Sequence, residues 1–406
     1  MEWKTLHTAP LAFASDYHQV HMWSPTSTAH GVVVSSLLFT HASAFVALPF
    51  MSQDTTAFDG QYIAPSTNNT AVEWWYAQAI AEPEGSSALA NIQILFYQGY
   101  PILVPPQDPS QPEYYITIDG SFPNGTVFNF NIPASSGNVV SSGEDVTGHW
   151  GDAGSFSVTD NLSSFTAKIN SSALGVTGNI TMTSRAPYHF PCNGTNSPYF
   201  DSAVPSNTSL TPAEQYLFDK LGWTTTIPGG NATVSLDING TLLQFAGSAY
   251  HDANWLPAPL NEVVNNWYFV NAAVGPFDLS GVLATAINST RQLSTGFLAE
   301  SGVILQNQCS LAGSKPVDNS TITLYGETYD LETGVNLQTG LIISYALENG
   351  DEYSFNLTSL VQNPDQIIYH RWIGTASGGK IGGTQYEGMT VFEWLNPGLN
   401  TYTPTP

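Results

Sequence analysis

The residues best suited to chemistry in this chain lie in one stretch, residues 247–275, with the sequence GSAYHDANWLPAPLNEVVNNWYFVNAAVG. Its polar and aromatic members, which fall within nineteen positions, are Tyr250, His251, Asp252, Asn254, Trp255, Trp267 and Tyr268. Groups that donate, accept and titrate protons among large aromatic rings are typical of an apolar ligand pocket with a few placed polar groups. The alternative is a buried β-corner in which His251 and Asp252 only satisfy each other and nearby backbone groups.

Three residues outside this stretch also combine polarity with apolar surroundings. Glu73 lies beside Trp74 and Trp75, where desolvation would raise the carboxyl pKa and favour a proton donor. Its simpler interpretation is a rim carboxylate beside core tryptophans. Asn91 lies inside an apolar strand and needs hydrogen-bond partners if it faces inwards, but it could also lie on that strand's polar face. Trp223 follows a predicted helix, where core packing is the default.

Near the C-terminus, seventeen residues contain Arg371, Trp372, Lys380, Tyr386 and Glu387. The chain has only 8 Lys and Arg residues, so two cations in one short segment stand out. They could bind or polarise a substrate, although an ion pair with Glu387 is the simpler explanation.

The charge balance excludes several partners. The formal net charge is −24 and the few cations are scattered, which disfavours nucleic acid and anionic membrane surfaces. Charged residues make up only 10% of the chain, so another feature must keep its surface soluble. Asn-x-Ser/Thr sequons predict that this feature is N-glycosylation, at Asn68, Asn124, Asn161, Asn170, Asn179, Asn193, Asn207, Asn231, Asn239, Asn288, Asn319 and Asn356.

The N-terminal segment also indicates the secretory pathway. The run GVVVSSLLF, residues 31–39, is a short apolar core, and Ala42-Ser43-Ala44 has the form of a signal-peptidase site. We therefore predict a signal peptide over residues 1–44 and a polar lead-in over residues 45–70, with Met22 as an alternative start. An uncleaved anchor over residues 31–50 is the weaker alternative, because His41 and three serines make a poor membrane span.

The only cysteines are Cys192 and Cys309. In an oxidising compartment two cysteines most simply form one disulfide, and two free buried thiols are the alternative. Two thiols alone do not make a zinc site.

The periodicity predicts an all-β fold of antiparallel strands in meanders, closed into barrels or sandwiches. Asn-Gly pairs predict hairpins over residues 233–245 and 341–357. One helix is predicted over Pro212–Lys220, with Thr211 as its N-cap. We place a boundary near residues 257–264, which divides the chain into an N-terminal β domain, 71–258, and a C-terminal β domain, 259–406.

Several enzyme classes lack their motifs. The sequence has no Gly-x-Ser-x-Gly elbow, His-Glu-x-x-His pair, P-loop or Rossmann glycine fingerprint. After His30 no two histidines lie close together, so a metal site would need ligands distant in sequence.

Three short motifs resemble a known family. AVEWWY, then GSAYHDANW with NNWYFVNAAVGPF, then RWIGTASGGK with YEG occur in this order. This order resembles the hydroxyneurosporene synthase/carotenoid hydratase-like superfamily, and more closely its fungal branch of Diels–Alderase-like pericyclases. The resemblance implies two lipocalin-like β domains with the substrate pocket between them, and no metal or organic cofactor. The implied partners are apolar polyene, polyketide or terpenoid molecules.

By motif position, the resemblance implies that Glu73, Trp223 and Lys380 shape or polarise the pocket, with Asn91 as a looser match. The expected catalytic residues are Lys380, His251, Glu73 and Asp252, with His251 oriented by Asp252 as a proton donor. The expected substrate-binding residues are Trp75, Asn91, Trp223, Tyr250, Trp255, Trp267, Arg371 and Trp372. Alanine at Lys380 would then lower turnover without unfolding the protein.

The secretory signal, the sequons and the full YHDANW lean toward an intermolecular hetero-Diels–Alder reaction of a tropolone quinone methide with a humulene-type terpene. Three alternatives remain at this point: an intramolecular decalin-forming Diels–Alderase, a hydratase or isomerase of an apolar polyene, and a non-catalytic lipocalin-like carrier.

Overall fold

Alternating apolar and polar residues, punctuated by turns, fold into antiparallel strands along nearly the whole described chain. The computed structural model describes residues 57–63, 71–82, 89–102, 113–193, 197–311, 318–331 and 333–396. These residues belong to one compact unit and form two large antiparallel sheets, which confirms the all-β prediction.

The first sheet has eleven strands. In chain order they are β1 (Val72–Ala81), β2 (Asn91–Gln98), β3 (Tyr114–Ser121), β4 (Val127–Ala134), β5 (Asn138–Ser142), β6 (Asp145–Trp150), β7 (Gly154–Thr159), β8 (Ser164–Ser171), β9 (Val176–Ser184), β10 (Gly222–Ile238) and β11 (Thr241–Leu256). Strands β1 to β4, and likewise β5 to β11, each pair with the next strand in the chain, and the last strand, β11, pairs with the first, β1. The edges of the sheet are therefore β4 and β5. The sheet surrounds a large apolar core that includes Trp75, Trp150, Phe156 and Phe165.

The second sheet has nine strands and repeats this connectivity. Its strands are β12 (Val264–Val274), β13 (Phe277–Ala286), β14 (Gln292–Glu300), β15 (Val303–Leu311), β16 (Asn319–Tyr325), β19 (Gly340–Ala346), β20 (Glu352–Gln366), β21 (Tyr369–Lys380) and β22 (Tyr386–Leu395). Strand β22 returns to pair with β12, and the edge strands β15 and β16 contact each other. Two short strands, β17 (Thr328–Tyr329) and β18 (Asn336–Leu337), form a separate ribbon.

Local sequence signals place the helices and turns. Helix α1 spans Pro212–Lys220 as predicted, with a capping box between Thr211 and Glu214. Helix α2 (Leu260–Val263) and three short 3-10 turns, Ser172–Leu174, Pro191–Asn193 and Asp201–Ala203, complete the helical content of the described residues. Both predicted hairpins are present, and Asn239 and Gly240 adopt the positive φ angles, 52° and 79°, that their two-residue turn requires.

The chain passes from the first sheet to the second between Leu256 and Val264, and the two sheets pack against each other. A shared apolar cluster contains Trp74 and Tyr76 of the first sheet together with Trp267 and Phe269 of the second. Hydrogen bonds also cross the contact, including one from Gln78 Nε2 to Asn271 Oδ1 at 3.0 Å. The predicted disulfide between Cys192 and Cys309 is confirmed, and it joins the segment before α1 to strand β15.

Residues 57–63 were expected to belong to a polar lead-in, but they pack against the first sheet instead. Phe58, Asp59, Tyr62 and Ile63 are all buried. Polar anchors explain their position, because Glu73 accepts hydrogen bonds from the backbone N–H groups of Tyr62 and Ile63 at 2.8 and 3.0 Å. The predicted signal peptide, residues 1–44, lies outside the described residues.

Candidate active site

A cavity of about 650 Å³ lies between the two sheets. The first sheet contributes aromatic residues from β1, β2, β3 and β10, and the second contributes residues from β12, β21 and β22. The aromatic side chains that line it are Trp74, Tyr76, Tyr97, Tyr100, Tyr115, Phe130, Trp223, Trp267, Phe269 and Tyr369. This volume and lining are typical of sites for small, largely apolar molecules.

Strand alternation decides which motif residues reach the cavity. Successive side chains of a strand point to opposite faces of its sheet. On β1 and β11, Trp74, Tyr76, Asp252 and Asn254 line the cavity. The register pairs Trp74 with Asn254 and Tyr76 with Asp252, so these four residues form one patch of the sheet surface.

Asp252 is the ionisable group best placed for proton transfer. Its carboxyl is buried, and its Oδ2 accepts a hydrogen bond from the Tyr250 hydroxyl at 2.7 Å. Its Oδ1 makes no bond of hydrogen-bond geometry within the described residues. Burial raises the pKa of Asp252 well above its ordinary range, although Tyr250 and the Trp223 indole favour the charged form. The site therefore holds a carboxylic acid whose proton can face the cavity.

A charged cluster, Arg371 with Asp119, Glu393 and Tyr369, lies in the same cavity wall. Arg371 Nε donates to Glu393 at 2.8 Å, Nη1 donates to Asp119 at 3.1 Å, and Nη2 donates to the Tyr369 hydroxyl. The guanidinium carbon also lies 5.5 Å from the centre of the Tyr76 ring. Because Asp119 belongs to the first sheet and Glu393 to the second, Arg371 joins the two sheets with most of its donors already used.

Three indoles form a tryptophan wall, Trp74, Trp223 and Trp267, in the cavity. The Trp267 ring centre lies 6.5 Å from that of Trp74 and 6.1 Å from that of Trp223. Asn254 pairs along the sheet with both Trp74 and Trp223, which places it beside this wall. The wall provides aromatic faces for a planar or polyene substrate.

The structure corrects the predicted partnership of His251 and Asp252. His251 faces the core of the first sheet, where its Nε2 lies 3.0 Å from Asp59 Oδ2 and its Nδ1 lies 2.7 Å from the Tyr76 carbonyl oxygen. Its ring centre lies 4.1 Å from that of Phe165, and it does not line the cavity. Neighbouring strand residues point to opposite faces, so Asp252 cannot orient His251. The partner of His251 is Asp59.

Four other predicted site residues also lie away from the cavity. Glu73 is fully buried on the core face of β1, and burial raises its pKa to about 8, against the opposing hydrogen bonds from the Tyr62 and Ile63 backbone. Trp75 packs inside the first sheet and donates to the Asp59 carbonyl at 3.0 Å. Asn91 bonds to Ser121 and Leu89 at the far end of β2. Trp255 stacks on Tyr62, with ring centres 3.7 Å apart.

The C-terminal cations separate in the structure. Arg371 is buried in the cavity wall, whereas Lys380 lies at the end of β21 with a side chain that is 46% exposed and paired to Asp351 at 2.7 Å. Lys380 is not among the cavity residues, and its partner is Asp351 and not Glu387. Trp372 faces the core of the second sheet, stacked with Phe392. The structure therefore places both the predicted catalytic Lys380 and the predicted substrate-binding Trp372 outside the cavity.

The predicted residues that the structure does bring to the cavity are Asp252, Trp223, Trp267 and Arg371, with Tyr250 directly behind Asp252. Sequence reasoning missed Asp119, Glu393 and Tyr369 in the charged cluster, and Asp59 as the partner of His251. Strand alternation within AVEWWY could have pointed to Trp74 and Tyr76. No local signal marked Asp119, because it meets Arg371 only through the packing of two sheets.

Within the described residues, no group of three His, Cys, Asp or Glu side chains is arranged to hold a metal ion. In the same ranges, every helix is too short or too polar to cross a membrane. Asn68 lies outside the described residues. Among the other predicted glycosylation sites, Asn179 and Asn319 are half-buried, and the exposed ones are Asn124, Asn161, Asn170, Asn193, Asn207, Asn231, Asn239, Asn288 and Asn356.

Comparison with known families identifies the chain. Residues 45–396 match the Diels-Alderase-like family. This protein belongs to the Diels-Alderase-like family. It is an enzyme of that family, in which cyclases with a small-molecule substrate are found.

Its relatives include two quinolone epoxide rearrangement proteins. The chain is 29% identical to penF of Penicillium thymicola over 82% of this chain and 87% of penF. It is 28% identical to asqO of Emericella nidulans, over 88% of this chain and 96% of asqO. A Diels-Alderase, poxQ of Penicillium oxalicum, is 23% identical over 92% of this chain and 81% of poxQ.

A solved structure, that of CghA, has the same fold. CghA, solved with Sch210972, superposes with a TM-score of 0.60 at 18% identity, covering 84% of this chain and 95% of CghA. At this identity the likeness establishes the shared fold, and the chemistry of this chain must be argued from its own cavity.

Proposed function

We propose that this enzyme closes or rearranges a ring stereoselectively on a largely apolar substrate whose oxygen accepts a proton or hydrogen bond from Asp252. The observation that carries the proposal is the buried Asp252 carboxyl, which faces a 650 Å³ aromatic cavity and whose pKa is raised well above its ordinary range. Burial favours the protonated form of such an acid, which can then act on substrate without water competing for the proton.

The cavity also suits pericyclic chemistry. A cycloaddition needs two π-systems held in one reactive arrangement, and orientation of this kind can lower a barrier by several kcal/mol, up to about 7–11 in ideal cases. The tryptophan wall and the tyrosines of β2 and β3 provide the faces that hold an apolar polyene. A hydrogen bond from Asp252 to a carbonyl would withdraw electrons from the conjugated system and stabilise charge that develops on oxygen.

In its most specific form, the proposed reaction joins a tropolone quinone methide to a humulene-type terpene. Asp252 would protonate the hydroxyl of a tropolone alcohol, the C–O bond would break, and water would leave. Loss of the ring hydroxyl proton to the Asp252 carboxylate restores the acid and gives the neutral quinone methide. The cycloaddition then forms one C–C and one C–O bond with a terpene alkene and loses no atom.

A second candidate is the rearrangement of an epoxide. It is supported by Asp252, since an epoxide opens when an acid protonates its oxygen, and by the relatives named quinolone epoxide rearrangement proteins. The C–O bond would break as the proton arrives, a substrate group would form a new bond to the electron-deficient carbon, and return of one proton from the substrate to the Asp252 carboxylate would restore the acid, so the product would keep the formula of the substrate. An intramolecular decalin closure also keeps the formula, whereas hydration of a polyene adds water.

One set of incubations separates these candidates. The purified protein is incubated with a humulene-type terpene and a tropolone alcohol, and in parallel with a quinolone epoxide, followed by chiral chromatography with mass detection. A single enantiomer of the dehydrated adduct, above a racemic background, supports the intermolecular reaction. An isomer of unchanged mass from the epoxide supports the rearrangement. Substrates returned unaltered in every incubation, with racemic traces equal to the no-enzyme control, would contradict both.

We also propose that the enzyme passes through the secretory pathway and is glycosylated. The exposed sequon asparagines support this, because attached glycans would project into solvent. Digestion with a glycosidase that removes N-linked glycans should lower the mass of protein purified from a fungal host, and an unchanged mass would contradict the proposal.

A further inference from the structure

Two buried N–H groups of cavity-lining residues have no hydrogen-bond partner within the described residues. They are Nδ2 of Asn254, which is 2% exposed, and Nε1 of Trp267, which is 6% exposed. Both residues line the cavity. Buried donors are nearly always paired, so two unpaired donors in one cavity point to a ligand.

We propose that Asn254 and Trp267 form an oxygen-binding subsite, separate from the Asp252 acid, that selects planar, uncharged substrates with a carbonyl oxygen. The inference rests on the proposed function only in taking this cavity as the substrate site. It assigns the two donors to a second substrate atom, apart from the oxygen on which Asp252 acts.

Strand register and ring distances place the two donor residues beside the same two indoles. Asn254 follows Asp252 by two positions on β11, so the two side chains share a face and their backbones are about 6–7 Å apart. Asn254 pairs along the sheet with Trp74 and Trp223, whose rings lie 6.5 and 6.1 Å from the Trp267 ring. The donors are therefore set within the tryptophan wall, and Asp252 borders it.

The chemistry of the donors defines the ligand atom. An indole N–H only donates, and so does an amide NH₂ group, so the complementary atom is an acceptor such as a carbonyl oxygen. The surrounding indole faces favour a flat, conjugated ring beside that oxygen. Two donors on one carbonyl would also make the attached π-system more electron-poor, which complements the role of Asp252.

The charges in the cavity favour an uncharged ligand over an anion. Arg371 is the cation of the charged cluster, and it is matched by the two carboxylates of Asp119 and Glu393, so one positive and two negative charges leave −1. The guanidinium donors are already engaged by these carboxylates and Tyr369. A carboxylate or phosphate ligand would therefore meet net repulsion in a low-dielectric site.

Tropone and cycloheptatriene test the subsite, because both are seven-membered trienes and the carbonyl group of tropone is replaced by a CH₂ group in cycloheptatriene. Protein labelled with ¹⁵N at tryptophan is titrated with each probe while the indole N–H signals are recorded by NMR, and Trp267→Phe assigns the relevant signal. We expect tropone to move the Trp267 indole proton downfield and cycloheptatriene to leave it nearly in place. Equal shifts with both probes, or no shift with saturating tropone, would overturn the proposal.

Variants quantify the selectivity. Asn254→Leu and Trp267→Phe should each weaken tropone binding about tenfold, as expected for the loss of one buried hydrogen bond, and should leave cycloheptatriene binding unchanged. Asn131→Leu makes the same replacement at an exposed cavity position, and Trp372→Phe removes an indole outside the cavity; both should bind tropone like the wild type. If both Asn254→Leu and Trp267→Phe keep wild-type tropone affinity, the assignment of these two residues to an oxygen-binding subsite is wrong.

These measurements are independent of catalysis. A protein that shows the Trp267 shift with tropone but turns over neither the tropolone alcohol nor the quinolone epoxide would retain the subsite and lose the proposed function. Turnover of either substrate without any selectivity for tropone over cycloheptatriene would retain the proposed function and contradict the subsite.

Discussion

Both faces of strands β1 and β11 carry buried polar residues: an acid and a histidine with hydrogen-bond partners on one face, and an acid and an amide that are partly unpaired on the other. On the core face, the polar groups of Glu73 and His251 are held by partners: backbone N–H groups for Glu73, and Asp59 with the Tyr76 carbonyl for His251. On the cavity face, Asp252 Oδ1 and Asn254 Nδ2 have no partner of good geometry among the described residues. The same pair of strands thus provides structural polar groups on one face and polar groups available to a ligand on the other.

This contrast shows why the Tyr-His-Asp-x-Asn-Trp motif is hard to interpret from spacing alone. His251 is the residue whose chemistry most suggests catalysis, yet its ring nitrogens are used within the first sheet. Asp252, adjacent in sequence, is on the other face because side chains alternate along a strand. An unpaired polar group in a buried cavity is a better guide to function than how often its residue type is catalytic in other proteins.

Removing the acid from the cavity face should have the largest effect. Asp252→Asn keeps the size of the side chain but cannot donate a proton as an acid, so we expect turnover to fall about 10²–10⁴-fold. The melting temperature should change little, because a neutral amide replaces a carboxyl whose neutral form burial favours. Steady-state kinetics and calorimetry on the same preparation measure both quantities.

The pH profile sharpens this prediction. Wild-type activity should be lost as pH rises through the raised pKa of Asp252, since the acid form is the active one. The residual activity of Asp252→Asn should not show this loss at high pH. Full activity in the variant would show that Asp252 is not the acid.

The equivalent change on the core face should damage stability and spare turnover. His251→Leu leaves the fully buried Asp59 carboxylate with the Thr226 hydroxyl, at 2.9 Å, as its remaining side-chain partner. Removing one partner of a buried pair in this way costs about 3–5 kcal/mol of the free energy of unfolding. Chemical denaturation should show this loss, while turnover per folded molecule stays near the wild-type value.

A second variant checks the cause. Asp59→Asn combined with His251→Leu removes the unpaired buried carboxyl as well, and should recover part of the lost stability relative to His251→Leu alone. If the single His251→Leu variant is as stable as the wild type but loses turnover, the assignment of His251 to the structural face is wrong.

Glu73 gives a smaller, pH-dependent effect on the same core face. Its pKa is raised from 4.5 to about 8, so the folded state holds the proton more tightly than the unfolded state. Its contribution is fully present below about pH 4.5 and is lost as pH rises towards 8, with a size on the order of a few kcal/mol. Glu73→Gln, which stays neutral, should flatten this part of the stability curve, as measured by denaturation at several pH values. If the stability of the wild type instead rises from pH 5 to 8, and Glu73→Gln removes that rise, the raised pKa assigned to Glu73 is wrong.

Local features of this fold were predictable, and long-range pairings were not. The Pro212–Lys220 helix, the Asn239-Gly240 turn and the Cys192–Cys309 disulfide follow from short-range rules or from simple counting. The all-β class follows from alternation along the chain. By contrast, Asp119 and Arg371 lie 252 positions apart, and Asp59 and His251 lie 192 apart. Such pairs depend on how two sheets and an N-terminal segment pack, which no local pattern encodes.

The site was predicted in part for the same reason. Motif positions led to Asp252, Trp223, Trp267 and Arg371, which do line the cavity, and also to Glu73 and Lys380, which do not. Within a strand, the motif alone does not show which alternate set of residues faces the ligand. For Arg371, the few cations of the chain gave the right residue, while its role as a link between sheets needed the structure.

Replacement of Lys380 should have the smallest effect on turnover. It tests whether the position of a residue in the structure predicts its role better than its place in a sequence motif does. The Lys380 ammonium pairs with Asp351 at the exposed end of β21, where solvent weakens such ion pairs. The pKa of Lys380 is raised, chiefly by the hydrogen bond to Asp351, so it is a charged surface group and a poor proton donor. Lys380→Ala should therefore keep wild-type turnover and melting temperature, in contrast to Asp252→Asn under identical assay conditions. A large loss of turnover at unchanged stability would mean that the end of β21 reaches the substrate during the reaction, and the cavity face would then no longer account for catalysis by itself.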